Sequence, residues 1–378
     1  MLAKVGGFLL GTSITQRVAQ QSEQHFCYFI TKNDYFCRVI LFMNQKKRIS
    51  QRDLARILGV NVSTVSRALK GLAGVSPDLK QKILNLAEEC GYRPNPFAMS
   101  LRYDTTRTIG VIVPDLSFSH FSHIVKSIEA EARKAGYMCI ITDSNEREDG
   151  EAACVELLEN LHVDGILICL SQETTHFDHL NRLKETHIPV VLFDRTADLD
   201  FSSVTINDVA TAHDLTLHLI DGGARRIAFL GGPNQMRQTA ERKHGYLSAL
   251  RERGIPIRKE LVKCGFATIN AGLKDTLDLL DLPEPPDAII GSHALLASAA
   301  YQTAISRGLR IPDDIAIAGY MSDWVSAMYR PRVTFVKQNL KEIGRKAFSL
   351  LHDQIEGDTS ATHLTINAHV EIRESTKK

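Results

Sequence analysis

Val60-Asn61-Val62-Ser63-Thr64-Val65-Ser66-Arg67-Ala68-Leu69-Lys70 is the stretch on which the reading of this 378-residue chain turns. Asn61 suits a helix N-cap, and the inward positions of a helix from Val62 to Lys70 are Val65, Ala68 and Leu69. Upstream, Ser50-x-x-Asp53 is a capping-box-like start, with Leu54, Ile57 and Leu58 as its apolar stripe. Gly59 ends that helix as a residue free to adopt positive φ, and Ala55 is small enough for two helices to cross closely. Downstream, Gly71-Leu72-Ala73-Gly74 is a loop, and Ser76 caps a third helix with Pro77 at its first position. That helix runs through Ile83, Leu84 and Ala87 to Gly91.

Two short helices, a glycine turn and a packing helix form the helix-turn-helix plan, in which the second helix enters the major groove. Val62, Ser63, Ser66 and Arg67 then face outward, residue types that touch thymine methyls, phosphates and guanine edges. Tyr92-Arg93-Pro94-Asn95-Pro96 is a turn, followed by Phe97–Arg102, a segment too short for a stable isolated helix. Asn95 would cap it, and Ala98 with Leu101 would form an apolar face able to wedge into a minor groove. A plain linker with incidental hydrophobes is the competing reading.

Length allows two or three domains at roughly 150 residues each, and 44% hydrophobic with 24% charged residues is ordinary globular composition. Seven scattered cysteines without C-x-x-C spacing fit a reducing cytosol, and no apolar run reaches the length of a membrane span. The expected location is therefore cytoplasmic. The net charge of +1 divides unevenly: +2 over residues 1–43, +6 over 44–104 and −7 over 105–378. A basic head on an acidic body is the electrostatic footprint of a polyanion-binding module. Residues 1–42 lack sustained periodicity and read as a disordered extension or a mis-assigned start, with Met43 opening the head.

From Thr108 the chain alternates apolar runs with helical patterns. Strands are expected at 109–113, 138–142, 165–170, 190–193, 227–230, 288–291 and 315–319, with helices such as 123–135, 151–161, 209–221, 241–253 and 295–307. Such βαβ alternation means parallel sheets covered by helices, and residues 105–378 suit two lobes of the doubly wound kind. The expected organisation is an all-α helix-turn-helix head at 43–94, a hinge at 95–104 and a two-lobed α/β body. The N-lobe would take 105–203 and 338–360, and the C-lobe 204–337 and 361–374. Ligands of such sheets lie beyond the strand C-termini. That rule nominates the loops 114–121, 143–146, 171–173, 194–195, 231–242, 292–294 and 320–324. No GxGxxG, Walker, GxSxG or HExxH motif is present, so no catalytic residue and no cofactor is assigned. His120/His123 and His176/His179 are weak i, i+3 pairs, read as ordinary histidines and not as a metal site.

The 60–70 stretch, preceded by Asp53-Leu54-Ala55 and followed by Gly91-Tyr92-Arg93-Pro94-Asn95, resembles the lactose-repressor/galactose-repressor family of bacterial transcription regulators. The resemblance extends from about residue 48 to 374. It implies a ligand-responsive repressor, a homodimer on a pseudo-palindromic double-stranded operator, with Leu101 at the family's intercalating leucine. The body is similar to the family's effector domain and to periplasmic sugar-binding proteins. Within the resemblance, Arg242 matches the effector-binding arginine, His120 and Phe121 match first-strand-loop positions that contact ligand, Phe266 matches a loop aromatic and Asp194 a polar cleft residue. The implied effector is a sugar or related polyhydroxy compound.

Two departures stand out. Ser292-His293 replaces the Asn-Asp of many members, and Gly319-Tyr320-Met321-Ser322-Asp323-Trp324 replaces Gly-Tyr-Asp or Gly-Phe-Asp. Asp323 is expected to substitute from a shifted loop unless the ligand is no familiar neutral sugar. Trp324 either stacks on a sugar face or packs the interlobe surface. The rival function is a secreted solute-binding protein for sugar uptake, which a helix-turn-helix ahead of the lobes disfavours.

Overall fold

Ser50 starts the first helix, α1 (Gln51–Leu58), through a reciprocal capping box. The Asp53 N–H donates to Ser50 Oγ at 3.3 Å, and the Ser50 N–H donates back to Asp53 Oδ2 at 3.0 Å. Gly59 closes it at φ +67°, the left-handed conformation that favours glycine. Asn61 precedes α2 (Val62–Leu69) and Ser76 precedes α3 (Pro77–Glu89) with extended backbones, but neither side chain makes a capping bond. Both are exposed, so water can take the first-turn N–H groups. Leu54, Ala55, Ile57, Val65, Ala68, Ile83, Leu86 and Ala87 form the head's core. Leu84, expected inward, is exposed, because Ile83, Leu86 and Ala87 at i, i+3, i+4 define the buried stripe of α3.

The computed structural model describes residues 49–92 and 105–377, in a head and a body that are separate compact units. The expected extension 1–42 and the hinge residues Asn95, Ala98 and Leu101 lie outside the described residues.

The body's first sheet is built from β1 (Thr108–Val113), β2 (Met138–Asp143), β3 (Gly165–Ile168), β4 (Val190–Phe193) and β5 (Ser202–Ile206). Between them run α4 (Ser119–Lys134), α5 (Glu148–Asn160) and α6 (Asp178–Glu185). The chain then crosses into α7 (Asp208–Asp221), β6 (Ile227–Gly231), α8 (Arg237–Glu252), β7 (Val262–Cys264), α9 (Ile269–Leu280), β8 (Ala288–Gly291), α10 (Ala294–Ser306), β9 (Ala316–Tyr320), the short α11 (Asp323–Ala327) and β10 (Thr334–Gln338). It returns through α12 (Leu340–Ile355) to β11 (His363–Ile366) and crosses again to β12 (Ala368–Glu371).

The strand orders are β11-β5-β4-β3-β1-β2 and β12-β10-β9-β8-β6-β7. The first sheet is parallel throughout; the second is parallel except for β12, which runs antiparallel to β10. β5 and β11 both belong to the first sheet, so the crossings fall after residues 206 and 366 and not after the expected 203 and 360. Side-chain hydrogen bonds secure β5, whose serines hide it as a strand: Ser202 Oγ accepts from the Thr362 N–H at 2.9 Å, and Ser203 Oγ meets His363 Nδ1 at 2.9 Å.

Each sheet is apolar on both faces. One buried cluster runs continuously from Ile109 and Val111 through Phe229 and Ile290, joining the lobes, while separate clusters fill the outer face of each. α10 lies hard against its sheet. A Cβ on Gly291 would sit 2.3 Å from the Ala297 nitrogen, and one on Gly319 would sit 2.5 Å from the Gly291 carbonyl oxygen. That close approach fixes Ser292 and His293 at the head of α10. No described helix is long and apolar enough to cross a membrane.

Candidate functional site

On the head, Val65 and Ala68 anchor α2 in the core, which turns Val62, Ser63 and Arg67 to solvent and leaves Ser66 partly exposed. The Arg67 guanidinium has no hydrogen-bond or ion-pair partner among the described residues, and it lies near Gly74, 3.8 Å from where a Cβ on that glycine would stand. A free, forked donor at the exposed face of a helix is the geometry for a guanine edge or a phosphate.

On the body, a cleft of about 470 Å³ opens between the lobes at the strand C-termini. The N-lobe wall comes from the loops after β1, β2, β3 and β4; the C-lobe wall comes from α8, the segment after β7, the head of α10 and the residues after β9. Two of these loops use positive φ at non-glycine residues, Glu146 at +59° and Asp194 at +62°.

The N-lobe wall carries a histidine–carboxylate contact and an arginine–carboxylate ion pair. His120 Nε2 lies 3.0 Å from Asp194 Oδ1. Arg195 Nη1 donates to both Glu146 oxygens, at 2.9 and 2.8 Å, and its guanidinium lies 5.1 Å from the Phe121 ring centre. Burial alone would raise the Asp194 carboxyl, but His120, Arg195 and Arg242 together outweigh it and hold the group down at about 2. The C-lobe wall carries one fully buried pair, Arg242 Nε to Asp208 Oδ1 at 2.6 Å. Arg242 Nη1 also donates to the Ser292 carbonyl, and its guanidinium stacks 3.6 Å over the Tyr320 ring. Tyr320 is tied at 2.9 Å to Thr211 Oγ1. Here burial wins: it pushes Asp208 up to about 6 despite Arg242 alongside. A direct bond spans the cleft, from the Ala267 N–H to Gln172 Oε1 at 2.7 Å.

His120, Phe121, Asp194, Arg242 and Phe266 all line the cleft. Phe121 is 3% exposed, beneath Arg195 and in edge contact with His120, whereas Phe266 is 47% exposed and free to meet a ligand face. Three expected residues point elsewhere. Ser292 is buried, offering its carbonyl to Arg242 and its hydroxyl to His293 Nδ1 at 3.0 Å, and it is His293 that lines the cleft. Asp323 pairs with Arg332 at 3.1 Å and Arg373 at 3.4 Å, and Trp324 is 70% exposed. The helical turn explains both: Ser322 and Val325 face the cleft, so Asp323 and Trp324 between them cannot.

Glu146, Gln172, Arg195, His293 and Tyr320 were not nominated as ligand contacts from the sequence, although each falls in a nominated post-strand loop. The histidine pairs are occupied by other partners: His123 with the Ser119 carbonyl, His176 with Glu148 and His179 with Glu151. Among the described residues no group of three or more His, Cys, Asp or Glu is arranged to hold a metal ion.

Residues 50–95 match the family of bacterial regulatory proteins, lacI family, and residues 106–374 match the periplasmic binding proteins and sugar binding domain of LacI family. The chain is 33% identical over 328 residues to catabolite control protein A of Priestia megaterium, covering 86% of this chain and 98% of that protein. It is 32% identical over 314 residues to the HTH-type transcriptional repressor CytR of Escherichia coli K12, covering 83% and 92%. Among solved structures, the complex of the transcriptional regulator CelR with cellobiose is similar at 29% identity and TM-score 0.66, covering 87% of this chain and all of that one. The lac repressor dimer bound to operator and the anti-inducer ONPF shares the fold at 22% identity and TM-score 0.77, covering 88% and 100%. The chain belongs to the lacI family of bacterial regulatory proteins, which are DNA-binding regulators of transcription and not enzymes.

Proposed function

We propose that this protein is a repressor that binds a pseudo-palindromic operator as a homodimer and is controlled by a small polyhydroxy effector in the interlobe cleft. In this reading the head is 43–94, the hinge 95–104 and the body 105–378. The observation that carries it is the outward face of α2, where Val62, Ser63, Ser66 and an Arg67 guanidinium without a partner among the described residues stand on a helix anchored by buried Val65 and Ala68. The relative named as a repressor and the structural neighbour holding cellobiose support the repressor and sugar-like parts. Effector bound against His120, Asp194, Arg242 and Phe266 touches both lobes and so biases their closure. A coupling of about 1–3 kcal/mol to DNA binding then changes operator occupancy many-fold.

Arg67→Ala is expected to lose about 1–3 kcal/mol of specific binding and to relax preference at one base pair. A footprint titration against selected palindromic sites reads both. Unchanged discrimination removes α2 as the reading helix.

A further inference from the structure

We propose that Asp164 is a positioning residue for operator binding: it clasps residues 105–107 and so fixes the body end of the segment that joins head to body. This rests on the dimeric operator reading above and goes beyond it, from the head itself to the joint that presents it.

Asp164 immediately precedes β3. Its Oδ1 accepts from the Thr106 N–H at 2.7 Å and from the Thr106 hydroxyl at 2.9 Å. Its Oδ2 accepts from the Arg107 N–H at 2.9 Å and from the Thr105 hydroxyl. One carboxylate thus holds four donors on three consecutive residues, and bonds to an ionised acceptor are the stronger class. Backbone pairing adds to the hold: the Asp164 N–H donates to the Thr108 carbonyl and the Met138 N–H to the Arg107 carbonyl, both at 2.8 Å. Arg107 is kept at φ +49°, a left-handed conformation that a non-glycine residue adopts only where its surroundings impose it. Its guanidinium lies 5.0 Å over the Tyr137 ring, which meets Phe348 and His352 edge-on. Those two belong to α12, the helix that brings the chain back from β10 to the first sheet.

The second sheet separates this role from a demand of the fold. Asp287 immediately precedes β8 as Asp164 precedes β3. Its carboxylate accepts from the Arg225 N–H at 2.7 Å and the Arg226 N–H at 3.0 Å, on the residues that enter β6. Among the described residues, then, two backbone donors seat the first strand of that lobe, where the chain arrives from α7 of the body itself. Asp164 takes two backbone donors as well, and adds the hydroxyls of Thr105 and Thr106 where the incoming chain leads from the head. Releasing 105–107 would add roughly 10 Å of slack to that tether. Slack lowers the effective concentration of the second head once the first is on its half-site, without touching the contacts of either head. Attraction of one head to DNA, set by its own charge and side chains, stays as it was.

The test measures binding of the full chain, by fluorescence anisotropy, to two duplexes: a palindrome selected with the wild-type protein, and a shorter duplex carrying one half-site. Asp164→Ala is expected to lose about tenfold on the palindrome and to stay within about twofold on the half-site. Asp287→Ala, which removes the matching clasp from the other lobe, controls for lost stability and is expected to keep the wild-type ratio. Asp164→Asn keeps an acceptor for Thr106 but turns an NH2 toward the Arg107 N–H, so its loss should lie between. Hydrogen exchange at the Thr106 and Arg107 amides should quicken in both Asp164 variants. A folded Asp164→Ala with the wild-type preference for palindrome over half-site overturns the inference, and so does an equal loss in Asp287→Ala; both leave the operator reading standing. If Asp164→Ala does not fold, Asp164→Asn decides by the same outcomes. Wild-type protein that does not prefer the palindrome overturns the operator reading and this inference together.

Discussion

The two walls of the cleft each bury an aspartate beside arginine, and the two groups move in opposite directions. Asp194, on the N-lobe wall, faces His120 at 3.0 Å with the charges of Arg195 and Arg242 nearby, and sits at about 2. Asp208, on the C-lobe wall, has Arg242 as its close counter-charge, feels repulsion from Asp194 and Glu241, and rises to about 6. Burial is severe in both. The difference teaches that one ion pair does not offset full desolvation of a carboxylate, whereas several converging cations do.

The strongest way to break this comparison is to remove one carboxylate from each wall. Asp208→Ala strands a nearly inaccessible guanidinium and is expected to cost about 3–5 kcal/mol. Glu146→Ala frees Arg195 beside a partner that is itself one-fifth exposed, and the expected cost is about 1.5–3 kcal/mol. Urea denaturation of both variants measures the gap; equal costs would mean that the C-lobe pair is not the more desolvated one.

The pH dependence of stability sharpens the contrast. Asp208, raised in the folded state, contributes stability that is complete below its unfolded value of 3.8 and is lost as pH climbs through about 6, roughly 3 kcal/mol in all. Asp194, lowered in the folded state, contributes stability that is present above 3.8 and is lost as pH falls through about 2, roughly 2 kcal/mol. Melting curves of Asp208→Asn should therefore diverge from wild type between pH 4 and 6, and those of Asp194→Asn between pH 2 and 4. Divergence of both in one window would erase the asymmetry.

The smallest effect concerns the bridge between the walls. Gln172→Ala removes the acceptor of the Ala267 N–H and is expected to cost about 1 kcal/mol while favouring opening of the lobes. A larger radius of gyration in solution scattering, with Tm only slightly lowered, is the expected result; an unchanged radius would show that the bond does not hold the lobes together.

The head was legible in the sequence almost residue by residue, because its contacts are local. The Ser50–Asp53 box, the Gly59 stop and the buried Val65 and Ala68 all follow from spacing within a few positions. Leu84 misled because two adjacent apolar residues, Ile83 and Leu84, leave the phase of a helix open until Leu86 and Ala87 are packed. In the body, seven strands were visible as β-branched or apolar runs, whereas β5, β7, β10, β11 and β12 were not. Ser202-Ser203 looks polar until Thr362 and His363 arrive from far along the chain to satisfy it. For the cleft, the rule that ligands sit beyond strand ends selected the right loops, but not which side chains in them turn inward. Asp323 and Trp324 were nominated by chemical type and are excluded by the phase of a five-residue helix.

The sequence by itself determined the family, the helix-turn-helix, the outward face of α2, the alternating α/β body and the loops that build a cleft, since each rests on periodicity or on motifs read over short spans. Only the tertiary structure decided which charges are matched. Arg242 meets Asp208 across 34 positions and Arg195 meets Glu146 across 49; the burial that pushes Asp208 up, and the gathering of His120, Arg195 and Arg242 that holds Asp194 down against its own burial, exist only once the chain has folded.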